Sequence, residues 1–296
     1  MKKILLFLGA VFASFSIVIS ASAQVAKPAE SHGLLYKISG KNLKKPSYIY
    51  GTFHIICQTE MFGMDKLNEL IGQSEQLLME IDLDDPAVMQ SMVASASMPD
   101  GKSLKDYLTP DQYAKVDEMF KNYVGVSVDL LNKYRPMMIS VAFTSSPKVI
   151  GCQPPGSYDL SFMQTAVAKK IPVEGLETVA LQLEKLDKKT FDDQAKELYE
   201  MALNPQKSIG EMQNIIRVYK TQNSEILYQT ITGNFGGAEF EKGLLEERNT
   251  DWIPKIEKAM GEKSNFIAIG AGHLGGEKGV LNLLKKQGYT IESIKL

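Results

Sequence analysis

Tyr48-Ile49-Tyr50-Gly51-Thr52-Phe53-His54 and Phe266-Ile267-Ala268-Ile269-Gly270-Ala271-Gly272-His273 are two copies of one pattern, an apolar run that ends in Gly-x-x-His. The chain has only three histidines, and two of them stand in this pattern. Glycine makes up 23 of 296 residues. The chance that two of three histidines carry Gly three positions earlier is therefore on the order of 2 % if composition alone decides. The segments after the two copies also match. After His54 come the apolar-periodic stretch 67–71 and the strand-like Gln76-Leu77-Leu78-Met79-Glu80-Ile81. After His273 come Val280-Leu281-Asn282-Leu283-Leu284 and Tyr289-Thr290-Ile291-Glu292-Ser293-Ile294. The pattern predicts an α/β fold with a central mixed sheet built from two strand–GxxH–helix–strand halves, and a large helical insertion between them. Each strand then delivers its histidine to the carboxyl edge of the sheet, where open α/β sheets place their ligands. The plainer reading is that each Gly makes a tight turn and each His is a polar residue at a strand end.

Acidic residues recur at the same kind of position. Glu80 closes the strand after the first copy, where a metal ligand or a general base would be placed. Val173-Glu174-Gly175-Leu176-Glu177 is a short strand that runs into Gly and an acid. Glu177 reads equally as a site acid or as a first-turn helix acid that complements the dipole. Asp82, Asp84 and Asp85 precede Pro86 and read as a turn with a helix-start charge. In Glu246-Glu247-Arg248-Asn249-Thr250-Asp251-Trp252, Arg248 offers a fixed fork of donors for a carboxylate or for developing negative charge. It reads equally as half of a surface ion pair. Trp252, the single Trp, reads as a packing residue. Met98, Met119, Met137 and Met138 read as core or groove filling.

Two cysteines, Cys57 and Cys152, are expected to form a disulfide in an oxidising compartment. On the chain-entropy account such a long loop contributes roughly 4–5 kcal/mol. A thiolate beside His54 is the alternative. The oxidising compartment is inferred from the first residues. Lys2-Lys3, the apolar Ile4–Ile19 and Ala21-Ser22-Ala23 form a signal peptide over 1–23, with a mature start at Gln24. His32 falls in a polar leader and reads as solvated. No later stretch is apolar enough to span a membrane. The expected location is periplasmic or secreted. Loss of Lys2 and Lys3 leaves 31 basic and 35 acidic side chains, 31 − 35 = −4, which argues against a nucleic-acid partner.

Taken together, Ser47–His54, the Glu80 strand, Val173–Thr178, Glu247-Arg248-Asn249 with Trp252, and Gly270-Ala271-Gly272-His273-Leu274 with its Gly288-Tyr289-Thr290 ending resemble the TraB/GumN family. That family is related to the TIKI metalloproteases and more loosely to erythromycin-esterase-like and ChaN-like proteins. The resemblance implies one α/β domain over 24–296, with a mostly helical insertion at about 86–250. It implies an exported metal-dependent hydrolase, peptidase-like, acting on a peptide or small-molecule substrate. His54, His273 and Glu80 would hold a divalent ion (Zn, Mn or Co), and Glu80, Glu177 and Arg248 would serve catalysis. No H-E-x-x-H helix is present, so the mechanism does not follow the zinc-protease template. The ChaN-like relatives point to an alternative, an exported haem- or metal-binding module without turnover.

Overall fold

The computed structural model describes residues 33–186, 189–234 and 241–296. The expected signal peptide and His32 lie outside the described residues. Among the described residues, no helix is long and apolar enough to cross a membrane.

The two Gly-x-x-His strands lie side by side. β1 (Leu35–Gly40) and β2 (Ser47–Thr52) form an antiparallel hairpin, with Leu35 opposite Tyr50. β3 (Ile56–Cys57) pairs with β5 (Pro155–Gly156) as a small ribbon apart from the main sheet. β4 (Gln76–Met79), β6 (Val173–Gly175), β7 (Asn265–Gly270) and β8 (Tyr289–Ile294) complete a six-stranded sheet of order β6-β4-β7-β2-β1-β8. β2 runs parallel to β7, with Tyr48 opposite Phe266 and Thr52 opposite Gly270. β4 is parallel to both β7 and β6. The first half, β2–helix Met64–Gln73–β4, and the second, β7–helix Val280–Lys286–β8, are the two repeats that the sequence predicts. The central strands are apolar on both faces, as buried parallel strands require. Ile49, Tyr50, Phe266, Ile267, Ala268 and Ile269 are all fully buried.

The glycine of the first motif is set by packing. A Cβ on Gly51 would stand 2.6 Å from Leu274 Cδ1 and 2.9 Å from Ala271 Cα, both in the turn after β7. The two His-bearing turns thus touch, and only a residue without a side chain lets them do so.

Between the halves the chain is mainly helical. A second hydrophobic cluster, with Leu104, Phe120, Ile139, Phe143 and Leu198 among its members, forms within this stretch. Met98 and Met119 are buried, whereas Met138 is only partly covered and faces a cavity. One helical boundary differs from the sequence expectation. A helix over 240–247 and another over 253–260 are expected. Instead a π-type turn Glu241–Glu246 leads directly into one helix, Glu247–Glu262, with Pro254 inside it. Pro costs a helix interior about 3 kcal/mol, but Arg248, Asn249, Trp252, Ile253 and Ile256 are all buried along this helix. Tertiary burial of that face outweighs the local preference.

The expected disulfide is present, joining Cys57 to Cys152 across 95 residues.

Candidate active site

Four chain ends arrive at the carboxyl edge of the sheet. His54 comes after β2, Glu80 after β4, Glu177 after β6 and His273 after β7. Helix Glu247–Glu262 brings Arg248 into their midst, and every one of these residues except His54 is buried.

Arg248 is the centre of the arrangement. Nη2 donates to Glu80 Oε2 and to Glu177 Oε1, each at 2.6 Å. Nε donates to Glu177 Oε1 and Oε2 at 3.0 and 3.2 Å. Nη1 donates to the Leu244 carbonyl at 3.0 Å and faces His273 Nε2 at 3.1 Å. Each of its five N–H groups therefore has an acceptor inside the protein. Its guanidinium also lies 4.8 Å from the Trp252 ring centre. Arg248 is 4 % exposed, so it is not half of a surface ion pair.

The two acids differ. Glu177 is occupied on both oxygens, by Arg248 and by Trp252 Nε1 at 3.1 Å. It lines neither of the cavities that reach the histidines, and stands behind the guanidinium. Glu80 lines both of those cavities. Its Oε1 accepts from the Gly270 N–H at 2.7 Å and its Oε2 from Gln182 Nε2 at 3.3 Å. Burial alone would raise the Glu80 pKa, yet the surroundings hold it below the usual carboxylate range. A charged His273 would lower it, but that ring is neutral near pH 7, so the guanidinium, the His54 charge and the Gly270 N–H carry the effect.

The histidines are each fixed through Nδ1. Asn249 Nδ2 donates to the Lys278 carbonyl at 2.9 Å, so its Oδ1 is turned to His273 and accepts from Nδ1–H at 2.6 Å. This assigns the tautomer from the hydrogen-bond network and leaves the Nε2 lone pair directed into the cluster. Burial, the Arg248 charge and His54 push the His273 pKa down to about 3, against the pull of Glu80. His54 Nδ1 donates to Asp159 Oδ2 at 2.9 Å, and Thr52 Oγ1 donates to Asp159 Oδ1 at 2.9 Å. The Asp159 carboxylate raises the His54 pKa to about 9. The His54 side chain is 70 % exposed, so water screens this pair and the rise is smaller than for a buried one.

Asp159 and Asn249 are the site residues that sequence reasoning missed. Asp159 sits in the first turn of helix Tyr158–Lys169, after the capping residue Ser157. There it reads as an ordinary helix-start acid. Asn249 is adjacent to Arg248, and that adjacency was the available signal.

Among the described residues, no three His, Cys, Asp or Glu side chains lie close enough to hold a metal ion as they stand. The Arg248 guanidinium occupies the space between the acids. The donors nonetheless fit a divalent ion in type. Glu80 Oε1 is 3.8 Å from His273 Nε2. The point that a Gly270 Cβ would occupy has Glu80 Oε1 at 3.1 Å, with His54 Nε2 and His273 Cδ2 each at 3.7 Å. The absent side chain of the second motif's glycine thus leaves a small cradle ringed by the three expected ligands. Both imidazoles also carry the outer partner at Nδ1 that metal-binding histidines use.

A mixed sheet whose two central parallel strands end in touching histidine turns, set against a buried Arg–carboxylate cluster, defines an α/β protein with a polar site at its carboxyl edge. The chain belongs to the TraB/PrgY/gumN family, whose sequence profile matches residues 34–293. It is similar to metalloprotease TIKI1 of Homo sapiens, at 24 % identity over 302 residues, covering 83 % of this chain and 59 % of that protein. It is similar to metalloprotease TIKI1 of Danio rerio at 21 % identity, covering 83 % of this chain and 60 % of the relative. Metalloprotease TIKI2 of Xenopus tropicalis is 20 % identical, with 83 % and 57 % covered. The chain thus spans less than two thirds of the length of these relatives. No solved structure matches it.

Proposed function

We propose that this protein is an exported metal-dependent hydrolase acting on peptides, with His54, Glu80 and His273 holding the ion. The observation that carries this reading is the convergence of those three side chains on the cradle at Gly270. The metalloprotease names of the relatives support it. The donors, two imidazole nitrogens and a carboxylate oxygen, suit Zn, Mn or Co. Bound there, such an ion supplies Lewis acidity to the substrate carbonyl and acidifies water.

The chain's own groups do the rest. Glu80 is ionised and faces both cavities, so its carboxylate can ligate the ion. Asn249 and Asp159 fix the two imidazoles with Nε2 forward. Glu177 and Trp252 hold the Arg248 guanidinium, which in turn keeps Glu80 ionised despite burial. Arg248 is then a positioning residue: four of its five N–H groups are held by Glu80, Glu177 and the Leu244 carbonyl, and the fifth faces the His273 Nε2 that would turn to the ion.

The test is the metal content of the purified protein beside His54→Ala/His273→Ala. Near-stoichiometric metal in the parent and none in a folded double variant is the expected result. No uptake by either when Zn, Mn and Co are offered would end this reading. Uptake without cleavage of any peptide in a broad library would shift it to a metal-binding module.

A further inference from the structure

Two cavities meet at the cluster. One, of about 510 Å³, is walled by Met212, Ile215, Ile231, Leu244 and Leu245. The other, of about 440 Å³, is walled by Met79, Met89, Met92, Met138 and Leu160. His54, Glu80, Val141 and Gln182 line both. The candidate site is therefore the waist between two lobes, each within the usual size of a ligand pocket. Among the described residues, every charged group that lines either lobe belongs to the site itself or, as Asp159 does, orients it. Beyond the waist the described lining is uncharged and mostly apolar.

The second lobe has an unusual wall. Helix Pro86–Ala96, Pro86-Ala87-Val88-Met89-Gln90-Ser91-Met92-Val93-Ala94-Ser95-Ala96, contains no charged residue and buries none of its side chains. A helix on a protein surface ordinarily turns a charged face to water. Here Met89 is 43 % and Val93 62 % exposed. Across the lobe Val141 and Leu160 are each 48 % exposed. Three of these four exposed apolar side chains, Met89, Val141 and Leu160, line this one cavity. Methionine side chains adapt to differing shapes, so this wall suits a flexible aliphatic group better than one rigid ligand.

We propose that the two lobes bind the side chains on either side of the scissile bond, and that the substrate is an extended peptide with large aliphatic residues at both positions. The helix Pro86–Ala96 wall selects one of them. This rests on the hydrolase reading for the word scissile, but the binding itself does not. An occupant that fills both lobes must pass the waist in extended form, carry no charge on the flanking side chains, and offer a polar link to the His54–Glu80 pair. A peptide with adjacent aliphatic residues meets all three requirements.

The test uses the purified protein and two fluorescein-labelled, N-acetylated hexapeptides that differ only in their central pair, Leu-Leu or Ser-Ser. Anisotropy is read at first mixing, and the same samples are followed by mass for cleavage. The Leu-Leu peptide should bind at least about tenfold more tightly than Ser-Ser, since burial of one large aliphatic side chain suffices for that factor. Met89→Glu and Val141→Asp, both at exposed positions, should remove that preference with Tm unchanged. Equal affinity for the two peptides, or an undiminished preference in both variants, would overturn the inference. So would a fluorescein-labelled decanoyl chain that binds tenfold more tightly than Leu-Leu, which would make the occupant an acyl chain. Selective Leu-Leu binding without cleavage under Zn, Mn or Co would support the inference while the hydrolase reading fell. Cleavage indifferent to the central pair would do the reverse.

Discussion

The two Gly-x-x-His turns come from one sequence pattern and end in opposite electrostatic states. His273 is 4 % exposed, stacks with its ring centre 4.5 Å from that of Trp252, and is held by a neutral amide. Its pKa is pushed down to about 3. His54 is open to both lobes and is held by a carboxylate that pushes its pKa up. A motif thus fixes where a histidine emerges from the sheet. Burial, the Arg248 charge and His54 keep one ring neutral, whereas the Asp159 carboxylate at Nδ1 favours the proton on the other. One turn offers a ring that is neutral near pH 7, and the other a solvent-exposed ring that favours the proton.

The largest way to break this asymmetry is to release the His54 side. Cys57 lies three residues after His54, and Cys152 lies seven before Asp159. The bridge therefore ties together the two segments that make the His54–Asp159 pair. Cys57→Ser/Cys152→Ser should lower stability by up to about 4–5 kcal/mol on the chain-entropy account, as read by urea unfolding. In NMR titration the His54 pKa should drop toward 6.5 while His273 stays unprotonated. An equal change at both rings would show that the bridge serves the whole sheet edge. Next in size, Arg248→Met strands two buried carboxylates and should cost about 3–5 kcal/mol. A loss below 1 kcal/mol by the same measurement would mean that Glu80 and Glu177 had found other partners.

The smallest effects separate the histidines themselves. His273→Ala removes a buried ring and leaves Asn249 and Arg248 short of a partner, for about 2–4 kcal/mol. His54→Ala, at an exposed position, should stay within about 1 kcal/mol, although both are expected to abolish metal uptake. Their pH dependences oppose each other. The folded pKa of His54 is raised, so its pairing stabilises fully below pH 6.5 and is lost as pH rises toward 9, by less than about 1 kcal/mol because of exposure. The folded pKa of His273 is depressed, so its stability is present above pH 6.5 and is lost as pH falls toward 3, with Glu80 acting in the same direction at still lower pH. Asp159→Asn should flatten only the alkaline limb of Tm against pH. A change in the acid limb as well would show that the two turns are coupled.

Much of this was legible in the chain. The spacing Gly-x-x-His after apolar runs identified the two central strands, and the echo of helix and strand after each copy identified the halves. Glu80 stood out as an acid at a strand end, whereas Glu177 and Arg248 read equally as a helix-start acid and half of a surface ion pair, and only the family resemblance named them. What the sequence hid was which residue holds which. Asp159 is 105 residues from His54, and its helix-start position already accounts for it locally. The use of Arg248 was also hidden, since only burial shows that it faces inward. Pro254 concealed the length of its helix because the packing that overrides it lies in distant segments. The helix Pro86–Ala96 carried no signal beyond its Met- and Ala-rich composition, and only its position shows that it lines a lobe.

The disulfide has a topological consequence. It closes residues 57–152 into a ring, and helix Pro86–Ala96, with none of its side chains buried, lies inside that ring. A protease that cuts the exposed helix would therefore open a loop without releasing a fragment. The nicked protein should run as one band on a denaturing gel without reductant and as two with it. The exposed wall of the cleft is thus one that a single cut cannot detach.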